Sequence, residues 1–164
     1  MDNTSLEIKL KSLNLKNNPI FAKNDLIKYV QDWRGQYIGD AAAILKPTNT
    51  TEVSRILKLA NDNNISVVPQ GGNTSLCGAA TPDNSGTSVV ISFEKMNKVR
   101  QFNKESQTIT VECGVILSQI HDVVEKENLF FPLSLGAQGS CMIGGNLSTN
   151  AGGVNVLKLS LIHI

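Results

Sequence analysis

Two stretches of this chain carry residue types that can hold an anion without a cation. The first is Pro69-Gln70-Gly71-Gly72-Asn73-Thr74-Ser75-Leu76. The second runs Gly139-Ser140-Cys141-Met142-Ile143-Gly144-Gly145-Asn146-Leu147-Ser148-Thr149-Asn150-Ala151-Gly152-Gly153. No Asp, Glu, Lys or Arg occurs between Asp62 and Asp83, or between Glu127 and Lys158. Glycine has no Cβ to hold a ligand off the backbone, so successive N–H groups can turn toward one acceptor. The interleaved Ser, Thr and Asn add short, uncharged hydrogen-bonding groups. This chemistry suits a large phosphate-bearing cofactor gripped by backbone dipoles rather than by lysine or arginine.

Other chemistries fit the residues less well. A P-loop needs Gly-Lys-Ser/Thr, and no lysine follows Gly71-Gly72. A Rossmann turn needs three spaced glycines opening a helix, whereas Gly78, Ala79 and Ala80 follow here in a loop. Cys77, Cys113 and Cys141 have neither metal-ligand spacing nor the even count of a disulfide scaffold, so each is expected to be a reduced, buried apolar residue. Ser140 and Ser148 lack a histidine–aspartate pair to activate them. His121 falls beside the apolar positions of a helical stretch and is expected to be exposed or satisfied rather than catalytic. Trp33, Arg34 and Tyr37 form an aromatic–basic cluster, read as a packed edge, with Arg34 or Tyr37 facing a substrate as the alternative. No catalytic and no metal-binding residue is nominated.

These stretches need elements to position them. Leu6, Ile8, Leu10, Leu13 and Leu15 predict a short helix and a loop, and Leu26, Ile27, Tyr29 and Val30 a second helical region. Residues 41–45 read as a buried strand stopped by Pro47. Asn49 and Glu52 have the spacing of a capping box, so a helix should start there, with Val53, Ile56, Leu57 and Ala60 as its apolar stripe. Residues 61–64 end it. Residues 65–68 predict a strand closed by Pro69, and residues 88–92 another. Together these make a βαβ unit with an extra strand, its ligand loop at a strand's carboxyl end, where open α/β sheets bind ligands. Residues 99–102 and 108–112 predict a hairpin turning through 103–106. Ile116, Leu117, Ile120, Val123 and Val124 recur at helical spacing before Phe130-Phe131-Pro132 leads to the second glycine stretch. A subdomain boundary is expected near Asn97.

The composition is that of an ordinary globular domain: 164 residues, 41% hydrophobic, formal charge +1. So neutral a chain offers no electrostatic footprint for nucleic acid or an anionic membrane. No run of about 20 apolar residues predicts a membrane span. The opening residues lack the pattern of a secretory signal, and the first 33 contain no arginine for a transit peptide. The expected compartment is the cytoplasm, with the mitochondrial matrix as the alternative.

Taken in order, Pro-Gln-Gly-Gly-Asn-Thr-Ser-Leu (69–76), Phe-Pro-Leu-Ser-Leu-Gly (131–136) and the run 139–153 give a specific resemblance. The chain resembles the PCMH-type FAD-binding domain of the vanillyl-alcohol oxidase superfamily. The likeness is to its D-2-hydroxyacid dehydrogenase branch, with the D-2-hydroxyglutarate and D-lactate dehydrogenases and the glycolate oxidase D subunit. It covers roughly residues 32–157. The implied fold is α+β, built from two α/β subdomains: a small βαβ-containing sheet, then a mainly antiparallel sheet with helices. The expected division is an N-terminal helical segment (1–40), a first FAD-binding subdomain (41–97) and an incomplete second one (98–157).

The resemblance also implies roles. Pro69, Gln70, Gly71, Gly72, Asn73, Thr74 and Ser75 would wrap the FAD pyrophosphate. Pro132, Leu135, Gly136, Ser140, Gly144, Gly145, Asn146, Thr149 and Asn150 would line the cofactor's adenosine, pyrophosphate and ribityl portions, with Leu133, Leu135, Ile143 and Leu147 packing around it. Members that bind FAD covalently through the first loop carry histidine after the paired glycines; here that position is Asn73, so noncovalent FAD is expected. The implied reaction is oxidation of a small D-2-hydroxy acid to the 2-oxo acid. Its catalytic groups would come from a substrate domain following the FAD domain. The implied partners are that hydroxy acid and a redox partner or a second copy of the chain. The alternatives are a flavin- or nucleotide-binding module without its own activity, and an FAD domain like that of the UDP-N-acetylenolpyruvoylglucosamine reductases.

At Lys158 the resemblance breaks. Leu-Ser-Leu-Ile-His-Ile (159–164) is what a sequencing-library adapter encodes when translated. Residues 158–164 are therefore expected to be an artefactual tail on a truncated fragment, inactive by itself.

Overall fold

A computed structural model describes residues 3–156, in two compact units that meet in the chain between Lys95 and Met96. The expected tail lies outside the described residues. In the first unit, α1 (Asn3–Ser12), α2 (Lys23–Val30) and α3 (Thr50–Asp62) surround β1 (Ala43–Leu45), β2 (Val67–Gln70) and β3 (Val89–Ser92). The three strands form a parallel sheet in the order β1-β3-β2. The β1–α3–β2 crossover therefore skips a position, which β3 fills. All four residues of β3 are buried, as a central parallel strand requires.

Strand alternation divides this core. Ala43, Leu45, Val89 and Ile91 face Leu6, Leu10, Leu15 and Ile56, while Ile44 and Val90 face Leu26, Tyr29 and Val30. The N-terminal segment, set apart in the sequence reading, thus packs inside the first unit. A three-stranded sheet with two apolar faces needs a cover on each.

Helix α3 begins as expected, with Asn49 Oδ1 accepting the Glu52 N–H at 2.9 Å. Glu52 does not close the reciprocal half of the box. Its carboxylate accepts from Lys16 N (2.9 Å), Thr48 N (2.7 Å) and Thr48 Oγ1 (3.1 Å), tying the N-terminal segment to the helix start. The helix ends through Asn64 at φ +53°, with Ile65 N–H returning to Ala60 O. Pro69 does not close β2, which continues through Gln70. As β2 is an edge strand, the missing N–H costs no ladder bond.

The second unit opens with the expected hairpin, β4 (Val99–Asn103) against β5 (Thr108–Val111), antiparallel, with a bulge between Val99 and Gln101. Beside the bulge, the buried Glu112 carboxylate accepts from Lys98 N (3.0 Å) and from Arg100 Nη2 (3.0 Å). Helix α4 (Leu117–Glu125) follows. Val115, Ile120 and Ile143 form the core, with Ile109, Val111, Phe131 and Leu133 packed on it. An antiparallel bridge joins Ile116 to Met142 and delivers the chain into α5 (Ile143–Ser148) and a short turn of 3₁₀ helix (Gly153–Asn155). The second glycine stretch is thus partly helical, which its composition alone does not announce.

Candidate functional site

The first glycine stretch keeps its amides free while the surrounding groups are tied down; in the second most amides are spent on the local fold, those of Ser140, Cys141, Ile143, Gly144, Asn146, Thr149, Asn150 and Ala151 among them. In the first unit the loop leaves β2 at Gln70, a buried residue. Its side-chain Nε2 donates to Tyr29 O and to Ala80 O, both at 2.8 Å, so its amide closes the loop rather than reaching outward. Asn73, at φ +52°, donates from Nδ2 to Gln31 O at 2.8 Å. Arg34 Nη2 donates to Leu76 O at 2.5 Å. By contrast, the N–H groups of Gly71, Gly72, Asn73, Thr74, Ser75 and Leu76 meet no acceptor among the described residues. An open cleft of about 840 Å³ lies against this loop, lined by Gly72, Asn73, Lys28, Gln31, Asp32 and Trp33.

The same division recurs in the second unit. Over Pro132–Leu135 the carbonyls are occupied: Pro132 O by Asn155 Nδ2 (2.7 Å), Leu133 O by His121 Nε2 (2.8 Å), Ser134 O by Val154 N (3.1 Å) and Leu135 O by Gln138 N (3.1 Å). The N–H groups of Leu133, Ser134, Leu135 and Gly136 find no acceptor among the described residues. Gly144 and Gly145 serve different ends. A Cβ at Gly144 would fall 2.6 Å from Cys113 Cβ, so that glycine lets α5 approach the chain at Cys113. A Cβ at Gly136, Gly139 or Gly145 would meet nothing within 4 Å, and the backbone there is open to a ligand.

The remaining nominated residues divide between support and exposure. Asn146 is buried, its amide 3.5 Å from the Cys141 sulfur, and its carbonyl accepts from Ala151 N. Thr149 Oγ1 donates to Gly145 O at 2.8 Å, which leaves its lone pairs free. Ser140, Thr149 and Asn150 are exposed, Asn150 at φ +55°. Pro132 and Leu135 are half-buried, while Leu147 is exposed.

The cysteine expectation is corrected in part. Cys141 is buried, but Cys113 is only half-buried and Cys77 is exposed. Cys77 follows the glycine loop on an exposed bend. Ser75 Oγ lies 3.1 Å from its sulfur, and that contact, with the Ala79 N–H, pulls the thiol below its usual pKa. Burial pushes the Cys113 thiol up. No group of three or more His, Cys, Asp or Glu able to hold a metal occurs among the described residues. His121 is satisfied through Leu133 O, as anticipated.

Arg34, Tyr37 and Asn155 are supports whose partners sequence reasoning missed. Tyr37 packs under Gly78, where a Cβ would lie 2.6 Å from the ring. The only sequence hint was the grouping of Trp33, Arg34 and Tyr37; nothing local named Leu76 or Gly78 as partners.

Rows of uncommitted N–H groups, no lysine or arginine in either stretch, and glycines open to solvent define a domain for a phosphate-bearing nucleotide cofactor. A family profile described as FAD binding domain matches residues 41–163, and the chain belongs to that family. FAD is its cofactor, and the donor set fits: backbone N–H groups are there to take the pyrophosphate charge. The chain is 41% identical over 142 residues to the D-2-hydroxyglutarate–pyruvate transhydrogenase of Saccharomyces cerevisiae, covering 87% of this chain and 28% of that protein. It is 37% identical over 154 residues to the D-2-hydroxyglutarate dehydrogenase of Xanthomonas citri pv. viticola, covering 94% of this chain and 31% of that one. The chain thus spans about a third or less of these relatives' length. A solved structure of alkyldihydroxyacetonephosphate synthase matches with a TM-score of 0.83 at 23% identity, over 96% of this chain and 31% of that one, which shows a shared fold.

Proposed function

We propose that this chain is the FAD-binding part of an oxidoreductase that converts a small D-2-hydroxy acid, of the 2-hydroxyglutarate, lactate or glycolate type, to its 2-oxo acid. The observation that carries the reading is the pair of cation-free donor rows, in a chain whose curated relatives are named for D-2-hydroxyglutarate chemistry. Bound FAD supplies the two-electron acceptor that the oxidation needs. Gly71–Leu76 hold its pyrophosphate through backbone N–H groups; taken by itself, the second unit offers the free N–H groups of Leu133–Gly136 and the open face of Gly145 as further cofactor contacts. Each such bond to a phosphate oxygen contributes about 1.5–3 kcal/mol.

The reacting carbon loses its C–H bond with both electrons while the hydroxyl loses its proton. We assign the groups that bind the substrate carboxylate and take this proton to the part of the relatives' length that this chain does not span. The electrons then leave to a redox partner. Asn73 has no nucleophilic nitrogen for a flavin bond and its amide is engaged with Gln31 O, so the cofactor is held noncovalently. No described helix is long and apolar enough to cross a membrane. Three free cysteines, one of them exposed, suit a reducing compartment such as the cytoplasm or the mitochondrial matrix.

The test is anaerobic titration of the purified full-length protein that carries this chain, followed through its flavin absorbance. Bleaching by a D-2-hydroxy acid but not by its L-enantiomer is the expected result. Bleaching by NADPH alone would move the reading to the reductase class, and a protein that takes up no flavin would end it. Acid denaturation should release all the flavin into the supernatant; flavin left on the precipitated chain would overturn noncovalent binding.

A further inference from the structure

The first glycine loop is pinned at three points, and all three involve residues 29–34. Gln70 ties its start to Tyr29 O and Ala80 O, Asn73 ties its middle to Gln31 O, and Arg34 ties its end at Leu76 O. Residues 31–38 form a small hairpin of their own. Gln31 pairs with Ile38, Asp32 N–H donates to Tyr37 O at 3.0 Å, and Gly35 turns the tip at φ +68°. Inside it, Asp32 is buried with 3% of its surface exposed. Its Oδ1 accepts the Tyr37 N–H at 2.8 Å. Its Oδ2 has no hydrogen-bond partner among the described residues and faces Arg34 Nε at 3.9 Å. The guanidinium therefore stands between a buried carboxylate and the Leu76 carbonyl, with Trp33 beside it at 5.9 Å from the ring centre. Tyr37, from the same hairpin, supports Gly78.

We propose that the 31–38 hairpin is the scaffold that preorganises the FAD loop, with Arg34 as its positioning residue and Asp32 acting through Arg34. A loop of six free N–H groups loses conformational entropy when it closes on an anion, and fixing it beforehand removes that cost from binding. Arg34 does this by fixing the peptide plane that follows Leu76. Its task is geometric and differs from that of a counter-charge to the pyrophosphate. The inference rests on FAD binding by this loop and is independent of which hydroxy acid is oxidised.

The test is FAD affinity, read by quenching of flavin fluorescence, for wild type, Arg34→Met, Asp32→Asn and the double variant. Each is measured at low and at high salt, with the melting temperature of the cofactor-free protein alongside. Met keeps the length of the side chain and removes its donors. Asn keeps an acceptor for the Tyr37 N–H and removes the charge that aims Arg34. Arg34→Met should raise the Kd by roughly five- to twentyfold, a loss sized for one charge-assisted bond. The factor should be the same at both salt concentrations, with the cofactor-free melting temperature little changed. Asp32→Asn should weaken binding less, and Arg34→Met should cost less in the Asp32→Asn background than alone.

Wild-type affinity in Arg34→Met would overturn the proposal. So would a loss that shrinks at high salt, since that marks a direct counter-charge. Strict additivity of the two substitutions would also overturn it. If Arg34→Met lowers the melting temperature in step with affinity, the Asp32→Asn variant and the salt comparison still decide. A wild-type protein that binds no FAD would instead remove the cofactor reading on which this one stands.

Discussion

Adding one methyl group at Gly144 and at Gly145 should give opposite results for stability. At Gly144 the new Cβ would fall 2.6 Å from Cys113 Cβ and 2.8 Å from Cys113 O, beside the 2.8 Å bond from Gly144 N–H to that oxygen. Backbone cannot yield there as a flexible side chain would, so Gly144→Ala forces α5 away from Cys113 at a cost of about 1–3 kcal/mol. At Gly145 nothing lies within 4 Å of the added Cβ. Gly145→Ala should therefore show the ordinary gain for replacing a helical glycine, about 0.5–1 kcal/mol. For a protein of this size 1 kcal/mol moves the melting temperature by roughly 2–4 °C. The cofactor-free Gly145→Ala protein should melt about 1–4 °C above wild type, and Gly144→Ala several degrees below. FAD affinity should not follow stability. The open face of Gly145 is where the cofactor's backbone contact is proposed, so the stabilised variant should bind FAD roughly tenfold more weakly, a change of about 1.4 kcal/mol. Scanning calorimetry and flavin fluorescence titration on the same preparations check both halves. A stabilised Gly145→Ala protein with wild-type affinity would refute the placement of FAD on that face. A Gly144→Ala protein that melts like wild type would refute the packing against Cys113.

Three further outcomes follow from the side-chain contacts. Burial raises the pKa of Glu52, but the hydrogen bonds from Lys16 and Thr48 outweigh it and hold the carboxyl below its usual value. Glu52→Gln, which cannot satisfy all three donors, should cost about 2–4 kcal/mol in urea unfolding, and a loss under half a kcal/mol would contradict that assignment. Glu112, through the Lys98 N–H, and Asp32, through the Tyr37 N–H, are likewise held below their usual values. For each depressed carboxyl the stabilisation is full above the ordinary value, 3.8 for Asp and 4.5 for Glu, and is lost as pH falls through the lower folded pKa. The urea midpoint should thus be flat near neutrality and fall in acid; a rise in that acid range would contradict the sign. Iodoacetamide should modify Cys77 first, because it is exposed and its thiol is pulled down, whereas Cys113 is pushed up and Cys141 is buried. Peptide mapping that finds Cys113 or Cys141 alkylated ahead of it would contradict this order.

Much of the scaffold was legible because its signals are local. Asn49 and Glu52 marked the start of α3, and the alternation of residues 108–111 marked a strand. The β-branched run 88–92 marked the buried central strand. What misled was the reading of Pro69 as a stop, since a proline blocks a strand only where its N–H is needed and β2 lies at an edge. The glycine stretches showed where donors could gather and that no cation would help them. That part depends on residue type alone.

Which donors are free is a property of the fold, because it depends on what every neighbouring acceptor is doing. The sequence places Gln70 and Asn73 in the loop. Only the tertiary structure turns their amides to Tyr29, Ala80 and Gln31 and leaves the N–H groups from Gly71 to Leu76 without an acceptor among the described residues. Gly144 and Gly145 are alike in sequence, and they differ because Cys113 lies against one and open space against the other. Arg34 reads as a surface charge until the fold brings Leu76, 42 positions away, to its guanidinium. Composition determined where backbone donors can gather without a cation, while contacts between distant residues decided which of those donors stay free among the described residues.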